Sequence, residues 1–165
     1  MDEDDEESSS WTCLDVDPWA LWSQRNAVPP TYTMDRLELI NSRMRTIVVE
    51  WIADVCTEFR QHHETMLLSV VLLDLCLSTG EFVMLKTSEL QALACASMYL
   101  ASKFHEIYHM SVDDLANMTA GGATRQQIVA LEARMLKACA FNVCVSSPQK
   151  WVALWSARLV LLLGD

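Results

Sequence analysis

Apolar residues recur along this chain at the spacing of a helix, and from about Arg36 onward no other period competes with it. Met44, Ile47, Val48, Trp51 and Val55 form one stripe, widened by Ile52, Cys56 and Phe59, and predict a helix that stops near Gln61-His62-His63. MLLSVVLLDLCLS, from Met66, is apolar nearly all round and therefore central, with Thr65 as its expected cap. Thr87 opens a third helix, whose small residues Ala92, Ala94, Cys95, Ala96, Ser97 and Ala101 permit close approach by neighbours and mark it as the hub. Ser111 with Asp114, and Thr124 with Gln127 after the Gly121-Gly122 turn, resemble capping boxes. The first starts a short helix through Leu115. The second starts one with Ile128, Leu131, Met135, Leu136 and Cys139 on a single face.

Two further segments flank this body. Asp17-Pro18 reads as the start of a short helix through Trp19, Leu21 and Trp22 that ends before Pro29-Pro30, and its tryptophans, with Trp11, need a surface to pack on. Ser146-Ser147-Pro148 caps a last helix, running through Trp151, Leu154 and Trp155 to the chain end. Strand alternation and fixed-period repeats are not found. The expected fold is all-α, five helices in one bundle with a short helix before it and another after.

Composition narrows the class. A chain of 165 residues, 52% hydrophobic with four Gly and four Pro, has room for one domain with a real core. The formal net charge is -10, but Asp2 to Glu7 hold six acidic residues, so most of it belongs to a tail, residues 1–16, expected to be disordered. An acidic body argues against a nucleic-acid partner, which needs clustered Lys and Arg. The six cysteines show no CxxC spacing, and four lie within apolar helical patterns as small hydrophobes, which suggests a reduced, intracellular setting. The acidic amino terminus is unlike a secretory signal. Apolar runs such as Met66 to Leu77 are too short, and contain Asp74, so no membrane span is expected.

Two charges stand where the pattern asks for apolar residues. Glu132 lies on the stripe of Ile128 and Met135, and Lys103 lies one turn from Leu100 in the hub helix. An unpaired buried charge costs several kcal/mol, so each needs an opposite partner, and pairing them solves both problems. The same logic links Arg45 to Asp74, although either pair could be merely structural. Just after Lys103, His105-Glu106-Ile107-Tyr108-His109 fits H-E-x-x-H, the zinc-protease pattern, with Glu132 as a conceivable third ligand. Against a metal site, Ser111 begins a new capping box, so the pentapeptide straddles a helix end. His62 and His63, being adjacent, point apart and read as surface residues. The chain has no Gly-rich phosphate loop, no G-x-S-x-G and no cysteine near a plausible histidine base. A binding module, without metal or other cofactor, is the better class.

MRTIVVEWIADVCTEF (Met44 to Phe59), HETMLLSVVLLDLCLS (His63 to Ser78), LQALACASMYLASKFHEIY (Leu90 to Tyr108) and the spaced Glu132, Leu136 and Phe141 closely resemble the cyclin box, in order and separation. The resemblance covers roughly residues 36–145 and is nearest the cell-cycle cyclins of A, B and E type. Residues 17–35 look like the helix and linker that precede their box, and residues 146–165 like the first helix of an incomplete second box.

The resemblance implies a non-catalytic regulatory subunit that binds and activates a cyclin-dependent serine/threonine kinase in the nucleus and cytoplasm. The alternative is a single-box protein that binds kinase, or scaffolds, without activating it. It implies that Lys103 and Glu132 pair and hold backbone near the kinase's mobile regulatory helix, while Leu100, Phe104, Glu106, Ile107, Leu136 and Phe141 shape the groove that receives it. It further implies a patch for R-x-L-type substrates and inhibitors at Met44, Ile47, Val48, Trp51, Asp54, Leu90 and Gln91, though Met44, Ile47 and Trp51 read equally well as core. The sequence departs from the family pattern at His105, in place of an acidic residue, at His109-Met110, where two prolines are common, and at Leu75-Cys76 after Asp74.

Overall fold

A computed structural model describes residues 40–82, 84–143 and 148–163 of the chain. The acidic tail, the helix expected at Asp17 and the cap at Ser146-Ser147 lie outside the described residues. Within them the protein is all-helical, as expected. Helices α1 (Ser42–Glu58), α2 (His63–Ser78), α3 (Thr87–His105), α4 (Val112–Met118) and α5 (Arg125–Ala138) make the bundle, and α6 (Pro148–Leu163) follows it.

The caps explain most boundaries. Asn41 accepts from the Met44 amide at 2.9 Å and so caps α1 at Ser42. Ser111 accepts from Asp114 N–H at 3.1 Å, and the Thr124–Gln127 box is closed both ways, at 3.3 and 2.8 Å. Thr65 is not a cap. Helix α2 begins at His63, two residues earlier, and Thr65 is buried inside its first turn. A short 3-10 turn, Gly80–Phe82, carries no periodic signal; it drops Phe82 into the core, where the Arg134 guanidinium lies 4.7 Å over the ring.

Helix α3 is the hub. Its residues from Ala92 to Met98 are all buried, and α1, α2, α4 and α5 all pack against it. Ala92, Ala94, Ala96 and Ala101 keep its surface low enough for neighbouring backbones to come close, while Leu93 and Met98 fill the space between. Buried hydroxyls are satisfied locally: Ser97 donates to the Ala94 carbonyl at 2.8 Å and Ser69 to that of Thr65 at 2.7 Å. The buried thiols of Cys56 and Cys95 are pushed up to about 12 by burial, so they pack as apolar groups.

Two non-glycine residues end α5 in the left-handed region, Ala140 at φ 48° and Phe141 at φ 59°. The Phe141 amide reaches back to the Leu136 carbonyl at 2.8 Å, a reversal that stops the helix and throws the Phe141 ring outward. In α6, Val152, Trp155, Leu159 and Val160 are exposed.

Leu93 is fully buried in the hub and Val129 stands exposed on α5. Leu93→Ala should lower unfolding free energy by about 2–5 kcal/mol in denaturant titrations, and Val129→Ala should change it by less than about 0.5 kcal/mol. Equal effects would mean that α3 is not the packed centre.

Candidate functional site

At the C-terminal end of α3 the misplaced charges meet. The Lys103 ammonium donates to the Glu132 carboxylate, joining the last turn of α3 to the middle of α5. Glu132 is buried, whereas about a third of the Lys103 side chain reaches solvent, so the pair sits at the edge of the core. Lys103 also lies over the Tyr99 ring, 4.1 Å from its centre.

Near this pair in the chain lie apolar side chains that stay exposed among the described residues. Phe104 is half exposed, Phe141 is 70% exposed, and Ile107 and Tyr108 are 91% and 89% exposed. Leu136 is partly buried beneath them. Four large apolar side chains are thus left exposed near this half-open ion pair. The groove residues that the resemblance implies differ in exposure. Leu100 is buried, and the Glu106 side chain is 7% exposed.

Glu106 ties two elements together. Its carboxylate accepts from the His62 backbone amide at 2.8 Å, from His62 Nδ1 at 2.7 Å and from the Thr65 hydroxyl. The N-terminus of α2 is thereby fastened to the point where α3 ends, which aims Ile107 and Tyr108. Burial works to raise the Glu106 pKa, but the hydrogen bonds from Thr65 and His62 outweigh it and leave the carboxyl below its ordinary value. The hydrogen bond to Glu106, reinforced by its charge, raises the His62 pKa. His62 is a surface residue, as expected, and is engaged by Glu106.

The H-E-x-x-H match dissolves in this geometry. Helix α3 ends at His105, whose Nδ1 stands 3.8 Å from Glu64 Oε2. Glu106 faces His62, and His109 lies against Tyr99 with ring centres 6.1 Å apart. Its three polar groups go to three different places. Among the described residues no three His, Cys, Asp or Glu side chains converge as metal ligands.

The other end of α3 borders a second surface. On α1, Ile47 is 55% exposed, Met44, Val48 and Trp51 are partly buried against the core, and Asp54 is exposed. Leu90 is buried and serves the core, and Gln91 is partly buried. Gln91 Oε1 lies 2.7 Å from where a Cβ on Gly122 would stand, so the glycine makes room for the amide. Beside the patch, Arg45 grips Asp74 with both forks, Nε to Oδ1 at 2.6 Å and NH2 to Oδ2 at 2.5 Å, and so locks α1 to α2.

Sequence reasoning missed Tyr99, and it missed the Glu106 partners His62 and Thr65. Tyr99 stands four residues before Lys103 and so shares its helix face, a signal open to inspection. The contacts of Glu106 with His62 and Thr65 span more than forty residues and leave no trace in local spacing.

Comparison with known proteins bears on this surface. Residues 19–144 match the cyclin N-terminal domain. The chain is 32% identical over 131 residues to the G2/mitotic-specific cyclin-A of Drosophila melanogaster, covering 79% of this chain and 26% of that one. It is 32% identical over 130 residues to Cyclin-A1 of Homo sapiens, 79% and 27% of the two chains. It is 36% identical over 121 residues to the G2/mitotic-specific cyclin-A of Spisula solidissima, 73% and 28%. In each case the match spans less than a third of the relative's length. The fold is similar to a viral cyclin from herpesvirus saimiri, with a TM-score of 0.57 and 23% identity over 65% of this chain and 45% of that chain.

The Glu106 brace generates a pH prediction. Its carboxylate contribution is present above the ordinary value of 4.5 and is lost as pH falls through its lowered pKa. The contribution of charged His62 is full below 6.5 and is lost as pH rises through its raised pKa. Melting temperature followed against pH should therefore show a brace strongest between these ordinary values, and His62→Gln should remove the decline on the alkaline side. An unchanged alkaline limb in that variant would refute the coupling.

Proposed function

The chain belongs to the cyclin family, and on that premise we propose that it is a non-catalytic regulatory subunit that binds and activates a cyclin-dependent serine/threonine kinase in cell-cycle control, in the nucleus and cytoplasm. The observation that carries the reading is the apolar rim of Phe104, Ile107, Tyr108 and Phe141 around the Lys103–Glu132 pair. That combination suits a mobile helix of the kinase: the rim takes its apolar side and the paired charges fix backbone at its end.

Magnitudes favour this mechanism. Burying a large apolar side chain contributes about 1.5–3 kcal/mol, so four of them reach the roughly 5.5 kcal/mol that moves a two-state equilibrium from 1:99 to 99:1. A partner that binds only the inward position of the kinase helix would thus populate it, and the kinase's own Lys–Glu pair would form there. All bond-making chemistry stays on the kinase. The patch on α1 supports a second role, recruitment of R-x-L-type substrates and inhibitors: apolar residues around Ile47 and Trp51 take the leucine, and exposed Asp54 attracts the arginine.

Reconstitution with a monomeric cyclin-dependent kinase tests the proposal. The full chain should bind and raise phosphate transfer. Lys103→Ala, still folded by circular dichroism, should lose most of that stimulation, because it strips the partner from buried Glu132. Undiminished transfer by the folded variant would sink the activation mechanism, and wild-type binding without stimulation would favour a scaffold or competitor. Trp51→Ala should raise KM for a substrate bearing an R-x-L motif while leaving a motif-free peptide unaffected; equal effects on both would remove the recruitment role.

A further inference from the structure

The Lys103 side chain needs more than one anchor. Its ammonium is a compact charge on a flexible stem of four carbons, about a third of the side chain is in solvent, and a single ion pair leaves that stem several rotamers. The second anchor is Tyr99. One turn earlier on α3, its ring lies beneath the ammonium at 4.1 Å, close enough for the ring's negative face to attract the cation. Tyr99 is itself held. It packs partly buried against the core, its carbonyl accepts from the Ser102 hydroxyl at 3.0 Å, and the His109 ring lies against it.

Resting on the kinase-binding reading above, we propose that Tyr99 is a positioning residue for that surface: its ring clamps the Lys103 ammonium onto Glu132 and so presets the charged end of the partner groove. What matters is the aromatic face. The hydroxyl is dispensable, so phenylalanine serves as well and leucine does not.

Two measurements on the full chain test this. A proton sitting over a ring is shielded, so the Lys103 ε-methylene protons, assigned through their loss in Lys103→Met, should resonate upfield in wild type and in Tyr99→Phe and return to ordinary values in Tyr99→Leu. In binding to a monomeric cyclin-dependent kinase, Tyr99→Leu should weaken affinity about two- to fivefold, Tyr99→Phe should restore it, and Tyr99→Leu added to Lys103→Met should have no further effect. Unshielded Lys103 protons in wild type would overturn the clamp. So would a leucine effect of equal size with and without the lysine, which would make the ring a space-filler. If wild type bound no such kinase, the functional reading would fall, while the proton shifts would still decide whether Tyr99 holds Lys103.

Discussion

A helix packed by four neighbours along most of its length offers function chiefly towards its ends, and that constraint organises the protein. Helix α3 is buried from Ala92 to Met98 and from Leu100 to Ser102 beneath four other helices, with Tyr99 partly open between. Its free ends are therefore where sequence can vary without opening the core. Near the first end Gln91 is partly buried beside Gly122. At the second, Lys103 and Phe104 emerge beside Ile107 and Tyr108. Both candidate surfaces are held by the rigidity of one central rod, so their relative placement is a property of packing, not of loops.

The two ion pairs do different work. Arg45 with Asp74 is about equally exposed on both sides and bidentate, and it sets the angle between α1 and α2. Lys103 with Glu132 is lopsided, with a buried acid and a partly solvated base. A lopsided pair keeps one charge accessible while the fold holds the other, which suits a contact made with something outside the chain. Glu106 adds a third fastening, made within the chain to His62 and Thr65. Its place in a row of otherwise outward residues comes from the end of α3 at His105, where the backbone leaves the helical path and alternate side chains stop sharing a face.

The helices from α1 to α5 were legible because burial writes its period into the sequence: the Met44 stripe, the all-apolar α2 and the small residues of α3 each answer to a packing need. Lys103 and Glu132 were legible for the converse reason, as charges on faces that could not bear them alone. Thr65 misled, since a threonine just before an apolar run resembles a cap, and only the distant Glu106 carboxylate explains why it is buried. Ala140 and Phe141 carried no signal at all. Neither residue type favours positive φ, and the turn that exposes Phe141 is closed by its amide on the Leu136 carbonyl.

The length of α3 also sets a ruler. Gln91 and Lys103 lie twelve positions apart on one straight helix, about 18 Å at 1.5 Å per residue. An extended peptide advances about 3.3 Å per residue, so a tether between ligands for the two ends needs at least roughly six residues, and more to follow the curved flank. Shorter tethers would force a choice between ends, and ones just long enough would gain from high effective concentration. Selectivity among bivalent ligands would then be decided by reach, before any side chain is compared.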